Sequence, residues 1–398
     1  MNYFPLTTNT LSNEDKKLAI DVIKSGNITR GNYNKLVEQY FTKKFKRYAL
    51  LVNSGSSANL LAFSLLVNKK RKYNLKKDDE IIIPTLCWST SLFPIIQMGL
   101  KPVFVDVDIK TLNIDLKQLE KKITKKTKAV MLVHALANCT DISLLKKILK
   151  KYKLILIEDT CEALGSKYKN NYLGTHGELA SFSFYFSHHI TSGEGGLILC
   201  KSYQDYKILL SLRAHGWSRE IDNLERKKSK RFNKLFNFIN LGYNLRLTDI
   251  QAALLLNQVK KIDKFKVNRL YNYNLICKIF KKDKFLENHL IFIASQKNAE
   301  VSWFNFPIIL KKFKNRKRDI VCEKLNELGV ETRPIISGDF SKQKVIQDDF
   351  MDLSKLRFSN AAKINNSGFM LGISSNKLEK KIVIRLANDI KKVINALK

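Results

Sequence analysis

The run Ser181-Phe-Ser-Phe-Tyr-Phe-Ser-His-His-Ile-Thr-Ser-Gly-Glu-Gly-Gly196 begins with an apolar strand-like segment and ends in a glycine-rich turn. A second apolar run, 197–200, follows it. The only titratable imidazoles of the run, His188 and His189, lie between the two, and a histidine can take and return a proton near neutral pH. Working toward the N-terminus, short apolar runs recur at 48–53, 80–84, 102–107, 129–134 and 154–159, separated by amphipathic helical patterns. Short apolar strands alternating with helices predict an α/β fold whose mostly parallel sheet is covered on both faces. Ligands of such sheets bind beyond the carboxyl ends of the strands. The polar residues at 53–57, 84–88, 158–162 and 183–188 all lie at or near predicted strand ends, which points to one site.

The flanking regions are predicted as follows. Ser12 and Asp15 have capping-box spacing and Gly26 suits a stop, so 12–25 is a helix. One long helix is expected from 248 to about 280, leading to a smaller C-terminal domain. That domain has strands at 301–308 and 330–335, a helix at 317–328 and a closing helix from 377 to 397. The polar stretch 221–234, strongly basic at 226–231, is expected to be a mobile loop.

Composition narrows the function. The chain has 398 residues, 44% of them hydrophobic, which suffices for two packed domains. Its six cysteines are scattered without a C-x-x-C pair, against a structural zinc site or a disulfide framework. No apolar run of membrane-spanning length and no signal-peptide pattern is expected, so the reading is a cytoplasmic protein with no membrane partner. The net charge of +35 comes from short groups of lysine and arginine spread along the chain, not from one element interleaved with aromatics. That distribution argues against a nucleic-acid partner, although a diffuse positive field attracts an anionic substrate.

Individual residues carry candidate chemistry. Asn53-Ser-Gly-Ser-Ser-Ala-Asn59 follows a strand and opens a helix; its backbone N–H groups, with the Ser56 and Ser57 hydroxyls, form a natural phosphate cradle. An N-cap in a tight turn is the plainer alternative. Trp88, beyond the strand 80–84, could stack on a flat ring or fill the core. Asp159 ends a fully apolar strand, where a carboxylate is costly without a partner. His188 and His189 are adjacent, and neighbours in sequence seldom converge on one ion; no metal is expected, and His189 is read as solvent-facing or structural.

The opening run resembles the active-site segment of the sugar-nucleotide aminotransferase-like family, which uses pyridoxal phosphate (PLP). There it reads Ser-Phe-x-x-x-Lys-x-x-x-x-Gly-Glu-Gly-Gly, and the lysine binds the cofactor covalently; here His188 stands at the lysine's place. The resemblance implies the type I, aspartate aminotransferase-like fold, with a large domain over 1–262 and a smaller α+β domain over 263–398. It implies a phosphate cradle at Gly55, Ser56 and Ser183, ring stacking by Trp88, and Asp159 against the pyridine nitrogen. Glu162 would lie near the cofactor's phenolic oxygen. Gly242-Tyr-Asn-Leu-Arg-Leu-Thr-Asp-Ile-Gln-Ala-Ala253 matches a segment whose asparagine, here Asn244, reaches the cofactor of a neighbouring subunit, implying a homodimer with shared sites. Arg246 and Gln251 of that segment could instead only fasten the helix, and His215, Arg219 and Arg333 are candidates for substrate anions.

The missing lysine, with Ser302-Trp-Phe and Glu331-Thr-Arg-Pro, resembles the family's sugar-nucleotide 3-dehydratases. Because 213–240 contains no cysteine, the iron–sulfur kind of such enzyme is disfavoured, and the cluster-free kind acting on a GDP-linked 4-keto-6-deoxymannose is preferred. The resemblance then implies the pyridoxamine form (PMP), L-glutamate as amino donor, His188 as base and loss of the sugar's C3 hydroxyl. A 4-aminotransferase with a relocated lysine, an idle binding protein of the same fold, and the choice between GDP and CDP stay open at the level of sequence.

Overall fold

The structure is a computed structural model describing residues 2–221, 236–311, 317–350 and 356–397. Seven strands form the larger sheet, in the order Tyr48–Val52, Gly196–Cys200, Leu179–Ser183, Ile155–Asp159, Thr127–Val133, Glu80–Pro84, Lys101–Val105. Gly196–Cys200 is antiparallel to both neighbours, and every other adjacent pair is parallel. The sheet is therefore mixed and mostly parallel, as expected.

Burial on both faces explains the unbroken apolar runs. Side chains alternate across a strand, so Ile81 and Ile83 enter one core with Leu50, Val52 and Leu61, while Ile82 enters another with Val130 and Leu132. Ala49 and Leu51 face a third core with Phe41, Phe182 and Leu197. Each such Leu, Ile or Phe contributes about 1.5–3 kcal/mol by leaving water.

A second sheet, all antiparallel, runs Leu290–Phe292, Asn305–Leu310, Gly368–Gly372, Thr332–Arg333. Its Phe306, Ile308 and Phe369 share one continuous core with Ile82, Val130 and Leu132 of the larger sheet.

The N-terminal helix is Asn13–Ser25, with Ser12 and Asp15 closing the expected capping box and Gly26 left-handed at its end. The long helix expected from 248 is broken. Asp249–Gln258 gives way to a 3₁₀ turn, Val259–Lys261, before Ile262–Lys282. At the break the Gln258 amide and the Lys261 ammonium both reach the Asp15 carboxylate, at 2.7 and 2.6 Å. The partner that interrupts the helix thus lies far away in sequence.

The strand expected over 301–308 begins only at Asn305. Its first residues are drawn out of extended pairing: the Ser302 N–H bonds to Ser166 Oγ, and Trp303 stacks on Tyr273 with centroids 4.0 Å apart. Thr332–Arg333 is shorter than the strand expected there, while the helices Lys317–Glu327 and Lys380–Asn395 lie within the expected spans. The predicted basic loop lies almost wholly outside the described residues.

Candidate active site

The carboxyl ends of Tyr48–Val52, Ile155–Asp159 and Leu179–Ser183 share one edge of the sheet, because Asp159 lies opposite Ser181 and both Val52 and Ser183 lie opposite Gly196. The helix Gly55–Leu66 starts at that edge with Ser54 as its cap. A methyl group on Gly55 would sit 2.8 Å from Ser183 Cβ and 2.9 Å from Cys161 Sγ. One on Gly196 would meet the Ser54 carbonyl at 2.2 Å. Glycine at both positions lets the helix start close against the strand ends. Gly55 is buried there and Ser56 is exposed.

The same helix supplies Asn59, whose amide donates to Asp159 Oδ2 at 2.9 Å; Ser91 Oγ donates to that oxygen at 2.7 Å. The Cys161 N–H serves Oδ1 at 3.1 Å. Asp159 is buried, and among the described residues it makes no ion pair. Three donors thus satisfy the buried carboxylate's oxygens. Its strand neighbour Glu158 faces elsewhere: burial alone would raise its carboxyl, but His134, at 2.9 Å, and the Gly174 N–H bring it down to about 2. Of the two adjacent acids, only Asp159 therefore faces the site.

Trp88 caps the helix Ser89–Gln97 that carries Ser91, and it is 56% exposed, so it is no core residue. His188 follows the strand Leu179–Ser183, its N–H bonded to the Tyr185 carbonyl at 2.9 Å. Its Nδ1 is buried without a hydrogen-bond partner, and its ring packs on Phe304 at 5.1 Å and Tyr185 at 6.0 Å. Burial lowers the imidazole to about 4, helped by the Arg269 charge and opposed by Asp159. At pH 7 it is neutral and able to accept a proton. His189 is buried, with Nε2 2.6 Å from the Ser302 carbonyl; it is structural, not solvent-facing. Glu162 accepts the Leu136 N–H at 2.9 Å, and burial, with Asp159 nearby, raises its carboxyl to about 7.

Asn244, His215 and Arg219 gather in a second cluster. Arg246 bonds Asn244 Oδ1 and His215 Nε2, both at 3.1 Å, and the Arg219 guanidinium lies over Trp217 at 4.0 Å. Asn244 and Arg219 help line a cavity of about 450 Å³ that none of the first group lines. Gln251 does fasten its helix, capping Thr248 and reaching the Glu194 carbonyl at 3.0 Å. Arg333 is exposed on its short strand; four residues on, Ser337 Oγ donates to the Cys87 carbonyl beside Trp88. Sequence reading did not single out Asn59, Ser91, Phe304 or Arg269. Asn59 was detectable, one helical turn beyond Gly55 on a helix already read as the cradle.

The chain matches the DegT/DnrJ/EryC1/StrS aminotransferase family over residues 9–391. It belongs to that family. A curated relative from Escherichia coli O55:H7, GDP-4-keto-6-deoxy-D-mannose 3-dehydratase, is 37% identical over 93% of this chain and 95% of its own length. A solved structure of the E. coli enzyme of that name, with bound hydrated PLP, superposes with a TM-score of 0.88 at 34% identity over 99% of each chain. Another GDP-4-keto-6-deoxymannose-3-dehydratase structure, with a trapped PLP-glutamate geminal diamine, gives 0.87 at 34% identity over 97% of this chain and all of its own.

The residues present fit the family's cofactor. Asp159 offers a buried negative charge lacking a cationic partner among the described residues, Gly55 leaves room for a close approach at a helix start, and the large exposed ring of Trp88 stands at the same sheet edge. Within Ser181–Gly196, His188 stands where the resemblance to the family's aminotransferases leads one to expect a lysine.

Proposed function

We propose that this chain removes the C3 hydroxyl of a nucleotide-linked 4-keto-6-deoxyhexose, with GDP-4-keto-6-deoxymannose the preferred substrate and L-glutamate the amino donor. The observation that carries this reading is the His188 imidazole, held neutral by burial and with Nδ1 lacking a partner among the described residues, at the position where the resemblance puts the aminotransferases' amine. Bound PLP or PMP would supply an electron sink conjugated with the sugar's C4.

The chain's own residues do the rest. Gly55, Ser56 and Ser183 would hold the phosphate at the helix start. Asp159, oriented by Asn59, Ser91 and the Cys161 N–H, would face the pyridine nitrogen of the bound cofactor. Trp88 would lie against the cofactor's ring, and Glu162, with its raised carboxyl, would stand ready to donate to the phenolic oxygen. With the cofactor bound, the His188 imidazole would take a proton from the cofactor's C4′ carbon, and return of that proton to the departing C3 oxygen would release it as water. A lysine there would recapture the cofactor and return the proton to the sugar's C4, completing amination. His215, Arg219 and Arg333 are assigned to anionic groups of the substrates.

The active assembly is a homodimer in which Asn244 serves the partner's cofactor site. Its support is the uncovered apolar surface beside Asn244: Leu241 is 96% exposed and Phe238 52%. Among the described residues no helix is long and apolar enough to cross a membrane. A charged, nucleotide-linked substrate supports assigning the reaction to the cytoplasm.

The test uses PMP, glutamate and 4-keto-6-deoxy sugar nucleotides, scoring loss of water against gain of nitrogen by mass. His188→Asn is expected to lower turnover at least about 10²-fold, and His188→Lys to shift product toward the 4-amino sugar. Full dehydratase turnover in His188→Asn removes the assigned base.

A further inference from the structure

A lysine joined to its cofactor is positioned by that bond. A free imidazole is not, and among the described residues the buried Nδ1 of His188 has no hydrogen-bond partner that could aim it. What it does have is a wall. The Phe304 ring lies 5.1 Å from His188 and 5.6 Å from His189. Phe304 belongs to Ser302-Trp303-Phe304, the segment pulled out of the strand that begins at Asn305.

That segment is fastened from two sides. His189 Nε2 lies 2.6 Å from the Ser302 carbonyl; since the carbonyl only accepts, this nitrogen carries the proton. From the helix Ile262–Lys282, Arg269 Nη1 donates to the carbonyls of Phe304 at 2.8 Å and Trp303 at 3.2 Å, and its Nε bonds Ser375 Oγ at 3.2 Å. Arg269 is 5% exposed, and among the described residues no carboxylate pairs with it. A buried guanidinium spent on neutral carbonyls is costly to keep. The Phe304 N–H in turn bonds the Leu136 carbonyl at 3.2 Å, and the Leu136 N–H bonds Glu162, so the wall is continuous with the site.

We propose that His189 and Arg269 are positioning residues for the reaction: together they hold Ser302, Trp303 and Phe304 as the surface that orients the His188 imidazole. The proposal rests on His188 being the base. The charged groups facing that imidazole are Asp159, from the strand end, and Arg269, from the connecting helix. Arg269 thus also opposes protonation of both histidines, which keeps His189 a one-proton donor and His188 an acceptor.

The experiment compares His189→Leu, His189→Gln, Arg269→Met and Arg269→Lys in steady-state kinetics. In parallel, NMR of ¹³C-labelled histidine follows the protein's six imidazoles without turnover, the His188 signal being assigned with His188→Asn. His189→Leu is expected to lower kcat about tenfold, with KM for the sugar nucleotide nearly unchanged and the His188 resonance displaced. His189→Gln, whose amide can still reach Ser302, restores most of the rate. Arg269→Met moves the His188 titration upward, toward the ordinary histidine value, whereas Arg269→Lys, which keeps the charge, leaves it low. If His189→Leu does not fold, His189→Asn replaces it, its amide being too short for Ser302. Unchanged kcat in the Leu or Asn variant overturns the proposal. So does an equal loss in the Gln variant with the His188 resonance unmoved, which marks a merely structural role. Failure of the base assignment is read separately, from turnover in His188→Asn, while the resonance arm still reports on the wall.

Discussion

Replacing Glu162 by Gln isolates one buried charge. The Leu136 N–H bonds Glu162 Oε2 at 2.9 Å, and a glutamine oxygen can accept the same bond, so shape and hydrogen bonding persist while the titration is lost. Burial, with Asp159 adding repulsion, raises the carboxyl from 4.5 to about 7. A carboxyl raised in this way binds its proton more tightly when folded. Its penalty is absent below about pH 4.5, grows as pH rises toward about 7 and is complete above that. At 1.36 kcal/mol per unit the full rise corresponds to about 3 kcal/mol, an upper limit for a side chain that is only part-buried. Unfolding of wild type and Glu162→Gln in the cofactor-free form, by urea or heat at pH 4.5 to 8.5, gives the difference directly, because the other titrating groups cancel. The variant should match wild type at pH 4.5 and exceed it by about 1–3 kcal/mol at pH 8. A difference that does not change with pH refutes the reasoning, for it means that Glu162 ionises as it would in water.

Gly55→Ala puts a methyl 2.8 Å from Ser183 Cβ and 2.9 Å from Cys161 Sγ, so the helix start must move from the strand ends. We expect about 1–3 kcal/mol of destabilisation and at least about tenfold weaker PMP binding, measured by denaturation and by absorbance titration. Arg213 is fully buried and pairs with Glu38 at 2.8 Å and Glu220 at 2.6 Å. Arg213→Met leaves Arg30, at 3.1 and 3.5 Å, as the cation still paired with Glu38 and Glu220, and it also frees the Leu51 carbonyl that Arg213 serves, so it should cost about 1–3 kcal/mol in unfolding free energy; an unaltered Tm refutes that.

Unbroken apolar runs such as 80–84 have one physical cause, burial on both faces, so the sheet was legible wherever strand alternation and helix periodicity were clean. The capping box at Ser12 was legible for the same reason, being a contact between residues three apart. The break at Val259–Lys261 was not, because the Asp15 carboxylate that Gln258 and Lys261 reach lies over 240 positions earlier. The same holds for the unpaired segment Ser302-Trp303-Phe304, held by Ser166, Tyr273, Arg269 and His189.

The sequence by itself determined the alternation of strands and helices, the glycine at position 55 where a helix starts and the imidazole at position 188, since each of these is a property of residue type and local spacing. Tertiary structure alone decided what those groups feel. It set Asn59 and Ser91 on Asp159, turned Glu158 away to His134, raised Glu162, and put the Phe304 wall and the Arg269 charge against His188. Desolvation and charge coupling depend on which distant segments close over a group, and local sequence does not encode that distance.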